Sequence, residues 1–433
     1  MIKQLYTMKR ILSLRSFTIA CMLCLVSSTV VAQDLHRLQL DSCVEMAKRN
    51  FPLIKQLGLL QQSKDFSIDN ANKAYLPQVS INGSATYQSD VTKVPIAIPS
   101  MSIPSLSKDQ YKAYAEVNQA LTDMFFVKDQ HKLIEATNKV ESQKIEVELY
   151  KLRERITQLF FGSLFVDAQI KQTSLMKTDI ENGIQQVESA VRNGISTRSN
   201  LSKLQAELLK ADQRETEQRA AKKAYIQMLG YFIGKPLSAD VQLIAPTGSV
   251  ENSVINRPEL SLFQDQEDAI AIQNQLLYNR NLPRFSAFVQ GGVGRPGLNM
   301  LNPDMQGYYM AGLRLNWNLS SLYTYKNDKK NVDISRQLLE KQKETFLFNI
   351  DLTLLQQKEE TNKYQKLIDT DNEIVQLREL AKKATAAQLK NGVASTYDYM
   401  TAVTEEDQAR QNMVLHQIQF QLSQYNQKIT TGN

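Results

Sequence analysis

Cysteine is scarce in this chain of 433 residues, which holds three: Cys21, Cys24 and Cys43. The first two fall inside a segment with the marks of an export leader, so the exported chain keeps only Cys43 and has no intramolecular disulfide. Its stability must come from packing or oligomerisation. Histidine is equally thin: His36, His131 and His416 lie far apart, and there is no His-Glu-x-x-His, no cysteine pair and no glycine-rich phosphate loop. The patterns of zinc hydrolases, redox centres and nucleotide enzymes are missing, so no catalysis, metal or cofactor is expected. Long hydrophobic runs are missing too. Past residue 32 none reaches the roughly 18 residues of a membrane helix, and a chain of this kind enters a membrane only as a β-barrel.

Two smaller features are set aside. The glycines of "QGGVGRPG" lead into a proline loop rather than a helix and are read as a turn. Met300, Met305 and Met310 stand five apart in what reads as a loop, a spacing with no soft-metal geometry behind it.

What is present begins with residues 1–32. Lys9, Arg10 and Arg15 precede an apolar core at 17–26, and Val30-Val31-Ala32 supplies small residues before Gln33, the pattern of a signal peptide, with Met8 as an alternative start. A lipoprotein reading through Cys21 is disfavoured, because Arg15 leaves too short an apolar run ahead of it. The formal charge of +6 is mostly leader: without Lys3, Lys9, Arg10 and Arg15, the 51 basic residues fall to 47 against 45 acidic ones. Nothing calls for a nucleic acid partner.

The strongest signal is an internal repeat. "NFPLI" at Asn50 and "NRPEL" at Asn256 match at an offset of 206, as do "LPQVS" at Leu76 and "LPRFS" at Leu282. "EVNQAL" around Asn118 and "RLNWNL" around Asn316 match at 198, and so do Gly194 and Gly392. The difference falls between Pro77 and Asn118, where the first copy carries a longer insert. The sequence thus divides into a first repeat at 33–250 and a second at 251–433.

Each copy opens with a helix of about 23 residues that ends at a Leu-Pro pair, after which the period turns from helical to alternating. Val79, Ile81, Ala85 and Tyr87 alternate with polar residues in the first copy, as do Leu313, Leu315, Trp317 and Leu319 in the second. This gives two strands per copy, each about ten residues, the length of a tilted membrane strand. Proline-bearing loops at 92–109 and 294–307 join them. Tyr87, Tyr111, Tyr114, Tyr308, Tyr309 and Trp317 fall near strand ends, as an aromatic girdle or as the core of a soluble sandwich.

Between Thr122 and Asn193 there is no proline. Ile145, Leu149, Leu152, Ile156, Leu159, Val166 and Ile170 form a coiled-coil seam, echoed by Leu347, Ile350, Leu354 and Ile368. Both long helices stop at a turn. Gly194 and Gly392 can take the left-handed conformation that closes a helix, and Ser196 or Thr197, like Ser395 or Thr396, can cap the next one. Asp398 lies in the first turn of that next helix, where a carboxylate is favoured. The breaks are hairpin tips at 193–197 and 391–396.

In this order of parts the chain resembles the TolC-type outer-membrane efflux proteins. The likeness rests on "LQLDSCVEMAKRNFP", on "AYLPQVSINGSATY" and on the Gly-x-x-Ser/Thr tips, and extends over the whole mature sequence. It implies an α+β, mainly α fold: a duplicated, long α-helical coiled-coil barrel with four β-strands per protomer. A homotrimer closes these strands into a twelve-stranded barrel in the outer membrane of a Gram-negative bacterium, with the helices crossing the periplasm. The implied function is the channel of a tripartite efflux or type I secretion system. Its implied partners are a periplasmic adaptor, an inner-membrane pump of the RND, ABC or MFS type, and outer-membrane lipid. Carried over, the adaptor contacts are Asn193, Gly194, Ile195, Ser196 and Thr197 with Asn391, Gly392, Val393, Ala394 and Ser395. Asp398 matches a position that forms an acidic entrance ring in the family. The position of a second such acid holds Thr401, and the first copy has Asn200. The alternative from another class is a soluble periplasmic coiled-coil adaptor or scaffold.

Overall fold

The computed structural model describes residues 37–92, 106–246 and 254–433. The leader expected at 1–32 and most of the 92–109 loop lie outside the described residues.

The chain opens with a short strand, β1 (Arg37–Gln39), and helix α1 (Leu40–Asn50). Pro52 ends α1 and starts a single 3-10 turn, after which α2 (Lys55–Asn72) runs on to another 3-10 turn at Lys73–Tyr75. The helix of about 23 residues expected here runs without interruption over residues 52–75, its first and last turns wound as 3-10. Leu76 is extended (φ −85, ψ 147), as the residue before a proline must be, and feeds β2 (Gln78–Tyr87). β3 (Asp109–Ala120) returns to the start of α3 (Asp123–Arg192), a helix of 70 residues and about 105 Å. The turn at 193–197 leads into α4 (Arg198–Ile233), and β4 (Gln242–Ile244) closes the first half.

The second half has α5 (Pro258–Arg280), in which Pro258 stands at the first helical position, where its missing N–H costs nothing. β5 (Arg284–Arg295), β6 (Gln306–Asn316), α6 (Ser321–Lys390) and α7 (Thr396–Thr431) follow. α3 and α6 have 70 residues each, α4 and α7 have 36 each, and all four boundaries differ by 198.

β2, β3, β5 and β6 form one antiparallel sheet in that order. β1 and β4 form a separate parallel pair. The sequence reading missed this pair, because three residues per strand are too few to show an alternation. It also carried the last strand too far: Trp317 and Leu319 lie beyond the end of β6. Met310 is in β6 rather than in the loop.

Of the glycines read as a turn, Gly291, Gly292 and Gly294 lie inside β5, and only Gly297 falls beyond its end. A Cβ at Gly292 would stand 2.2 Å from Ala113 O and 2.5 Å from Tyr114 Cα, so glycine here lets two strands approach closely.

The main core lies where the helices meet below the sheet. Leu40 and Cys43 of α1, Ile156, Phe160 and Phe161 of α3, Ile226 and Leu229 of α4, and Tyr425 of α7 are all buried there. Side chains of this kind contribute about 1.5–3 kcal/mol each on full burial. The α3 seam holds at Ile145, Leu149, Leu152, Ile156 and Val166, whereas Leu159 and Ile170 are half-buried. Its echo on α6 is shallower: Ile350 is buried, and Leu347, Leu354 and Ile368 are half-buried. The reason is position. α3 is packed by α1, α2, α4, α5 and α7, whereas α6 packs on α5 and α7 and leaves Phe348, Leu355, Leu377 and Leu380 exposed.

Candidate functional site

Three regions could carry function: the sheet, the two helical tips and a charged junction above the tips. In the sheet, the register separates the side chains by chemistry. Paired residues of an antiparallel ladder share a face, and successive residues alternate. One face carries Ser80, Asn82, Ser84, Glu116, Asn118, Gln290 and Arg314. The other carries Val79, Ile81, Val117, Val289, Leu313 and Leu315. The apolar residues are left bare, with Ile81 87% and Leu313 78% exposed.

Aromatic residues do not all follow the expected girdle. Tyr87, Tyr111 and Tyr309 are on the apolar face, toward the loops, and Trp317 just beyond β6 donates its indole N–H to Asn281 O at 3.0 Å. Tyr114 and Tyr308 are on the polar face, flanking Gly292 on its two sides. Alternation decides this: an even-numbered tyrosine on β3 or β6 shares a face with Glu116 and Arg314.

The tips are built alike. Gly194 (φ 71) and Gly392 (φ 72) are left-handed, and their N–H groups donate to Val191 O and Leu389 O, each at 3.1 Å. Ile195 N donates to Ala190 O at 2.8 Å and Val393 N to Gln388 O at 2.9 Å, so both helices end in a Schellman turn. Thr197, rather than Ser196, caps α4 by accepting from Asn200 N. Ser395, rather than Thr396, caps α7. Asn193, Gly194, Ile195, Thr197, Asn391, Gly392, Val393 and Ser395 are exposed, and Ser196 and Ala394 are half-buried. Each tip thus presents one aliphatic side chain to solvent, Ile195 at 72% and Val393 at 77% exposure.

Asp398 is exposed and completes a capping box. Its Oδ2 accepts from Ser395 N at 2.9 Å and from Ser395 Oγ at 2.7 Å, while Ser395 Oγ accepts from Asp398 N at 3.2 Å. The Ser395 hydroxyl and backbone N–H hold its carboxyl below the usual aspartate range. Its charge is therefore secure at any physiological pH.

Between the tips lies a cavity of about 850 Å³ lined by Gln186, Asn193, Asn200, Leu389 and Tyr399 among others. Above it, the two hairpins are joined by groups that the sequence did not single out. Lys382 of α6 donates to Asp179 of α3 at 2.7 Å and to Glu406 of α7 at 2.8 Å. Arg410 bridges Glu406 and Glu379, and Arg214 of α4 donates to Asp407 at 3.0 Å. Burial pulls Glu406 upward, yet the hydrogen bonds from Lys382 and Arg410 win and hold its carboxyl below the usual range. Its neighbour goes the other way: burial pushes Asp407 up, against the pull of Gln411 and Arg214. Gly183 was likewise overlooked. A Cβ there would meet Tyr399 Cε1 at 2.6 Å, so its lack of side chain is what admits the ring.

No helix among the described residues is long and apolar enough to cross a membrane. Among the same residues no cluster of three or more His, Cys, Asp or Glu is placed to hold a metal ion.

No protein-family model matches the sequence, and no curated protein matches it. Solved structures do resemble it. VceC, an outer membrane protein of Vibrio cholerae, superposes with a TM-score of 0.65 at 12% identity, over 91% of this chain and 96% of that one. The MtrE outer membrane channel of Neisseria gonorrhoeae in its open state gives 0.65 at 12% identity, over 91% and 89%. The CmeC outer membrane channel of Campylobacter jejuni gives 0.60 at 13% identity, over 91% and 85%. TM-scores of 0.60 to 0.65 with near-complete mutual coverage, despite the low identity, show a shared fold: the chain has the fold of the TolC-type outer-membrane channels.

Proposed function

We propose that this protein is the outer-membrane channel of a tripartite efflux or type I secretion system, a passive exit duct and not an enzyme. The observation that carries the reading is the sheet. It has one polar and one bare apolar face, and it ends on β2 and β6 with open edges. In lipid an open edge leaves backbone groups unpaired at several kcal/mol each, so such a sheet must close on other copies. Three copies give a twelve-stranded barrel, with the apolar face toward lipid and the polar face toward a water-filled lumen. The exposed stripe Phe348, Leu355, Leu377 and Leu380 on α6 is then covered by the neighbouring protomer.

In this reading residues 1–32 direct export, and the repeats at 33–250 and 251–433 each supply one strand pair and one long hairpin. The protein sits in the outer membrane of a Gram-negative bacterium and reaches into the periplasm. The tips at Asn193 to Thr197 and Asn391 to Ser395 meet a periplasmic adaptor coupled to an inner-membrane pump, and Asp398 supplies a ring of three carboxylates at the entrance. A soluble adaptor would have no use for a bare apolar sheet face. Fractionation tests the reading: the mature protein is expected in detergent extracts of outer membranes as trimers. Recovery solely in the soluble periplasmic fraction would sink it.

A further inference from the structure

Glu116 and Arg314 occupy corresponding places in the two halves, 198 residues apart and each two residues before the matched Asn118 and Asn316. A duplicated position has acquired opposite charges. In the sheet the two residues stand on the polar face of β3 and β6 with β5 between them. Glu116 is level with Gln290, and Gln290 with Met310, so Arg314 lies four residues farther along its strand. The tilt of about 35–45° in a closed barrel takes up about two to three residues of such an offset over two strands. The Arg314 guanidinium spans the offset by lying over the Phe288 ring, 4.5 Å from its centroid, and donates to both Glu116 oxygens at 2.9 and 3.2 Å. Phe288 is in turn seated over Gly312, where a Cβ would come within 3.1 Å of the ring.

The next step rests on the trimeric barrel proposed above. Strand β6 of one protomer then pairs with β2 of the next, so the next Glu116 is again two strands away, about 10 Å across the sheet. We propose that Glu116 and Arg314 form one collar of six alternating charges around the barrel lumen, and that this collar keeps the barrel indifferent to the sign of the solute passing through it. Three carboxylates and three guanidiniums sum to zero. Their spacing is close to the Debye length of about 8 Å at physiological salt, so their fields cancel for a solute on the axis. Of the other charged residues of this face, Lys112 lies four residues from Glu116 toward the loops, and Arg284, a diagonal neighbour of Arg314, is offset by its own pairing with Asp123 at 3.5 Å. Selectivity by charge is thereby left to the periplasmic mouth.

The test is the zero-current potential of the purified full-length trimer in planar bilayers under a potassium chloride gradient. Arg314→Glu puts six carboxylates in the collar and is expected to shift the cation-to-anion permeability ratio upward by about twofold or more at 0.1 M salt. Glu116→Arg is expected to shift it downward, both shifts should shrink at 1 M salt, and the double exchange should restore the wild-type value. Glu116→Gln and Arg314→Gln, which leave three charges of one sign and disturb packing less, should give smaller shifts in the same directions. Conducting variants whose permeability ratios equal that of wild type would overturn the collar. A wild-type chain that forms no conducting trimer would instead overturn the channel reading, and the collar with it.

Discussion

Tyr399 of α7 sets its ring into the notch at Gly183 of α3 and donates its hydroxyl to Asp179 O at 2.7 Å. Burial pushes the phenol up to about 12, so it remains a donor at any physiological pH. This contact joins the first hairpin to the second close to the tips. Tyr399→Phe keeps the ring and loses the hydrogen bond, at an expected cost of about 1 kcal/mol. Gly183→Ala places a methyl where the ring edge lies and should cost more, because the ring has to leave the notch. Denaturant titration of the purified trimer checks the order; equal effects would mean that the notch plays no part.

The adjacent carboxylates Glu406 and Asp407 should respond to pH in opposite ways. Glu406 is held below its ordinary value, so it contributes stability above the usual glutamate range and loses it as pH falls through its folded value. Glu406→Gln is therefore expected to cost about 1–3 kcal/mol at pH 7, a deficit that closes in acid. Asp407 is raised, so its ionised form costs stability as pH climbs through its folded value. Asp407→Asn should be stabilising at pH 7 and neutral below the usual aspartate range. Melting curves taken from pH 7 down to about pH 3 measure both.

Gly194 and Gly392 can be replaced without a steric clash, since nothing lies within 4 Å of a Cβ at either position. The penalty is in the backbone alone, about 1–2 kcal/mol for a side chain at positive φ and more for a branched one. Gly194→Val with Gly392→Val should thus leave trimers intact and reshape both tips. Export of pump substrates is expected to fail while trimers persist on unheated gels. Retained export would argue against docking at the tips.

Asp398 combines a cap and a charge, which substitution can separate. Asp398→Asn keeps an acceptor for Ser395 and removes the charge. It should reduce block of single-channel current by multivalent cations with little change in helix content. Because the carboxyl is held below the usual range by Ser395, wild-type block should persist down to pH 5. Block that is unchanged in Asp398→Asn would show that the constriction lies elsewhere.

Much of this architecture is legible in residue order because it is periodic. Leu149, Leu152 and Ile156 announce a seam by their spacing, and Gly194 is marked as a tip by its twin at Gly392. What the sequence hides is anything that depends on which neighbours arrive. The same seam positions are buried on α3 and half-buried on α6, because α3 is wrapped by five helices and α6 is not. Gly183 and Tyr399 are 216 positions apart and belong to different hairpins, so no local pattern links them. The Lys382, Asp179 and Glu406 cluster is hidden for the same reason: on long polar helices these residues look like any other solvated charges. The strand glycines were misread because close approach of β5 to β3 leaves no trace in local sequence.

The matched lengths of the helices, 70 with 70 and 36 with 36, bear on how such a chain can evolve. The two hairpins start from one sheet and must end in one plane, so each gauges the other. A heptad inserted in α3 and α4 alone would lift one set of tips about 10 Å out of that plane. Length is therefore inherited as a property of the pair, and the reach of the two hairpins can change only when both halves change by the same amount.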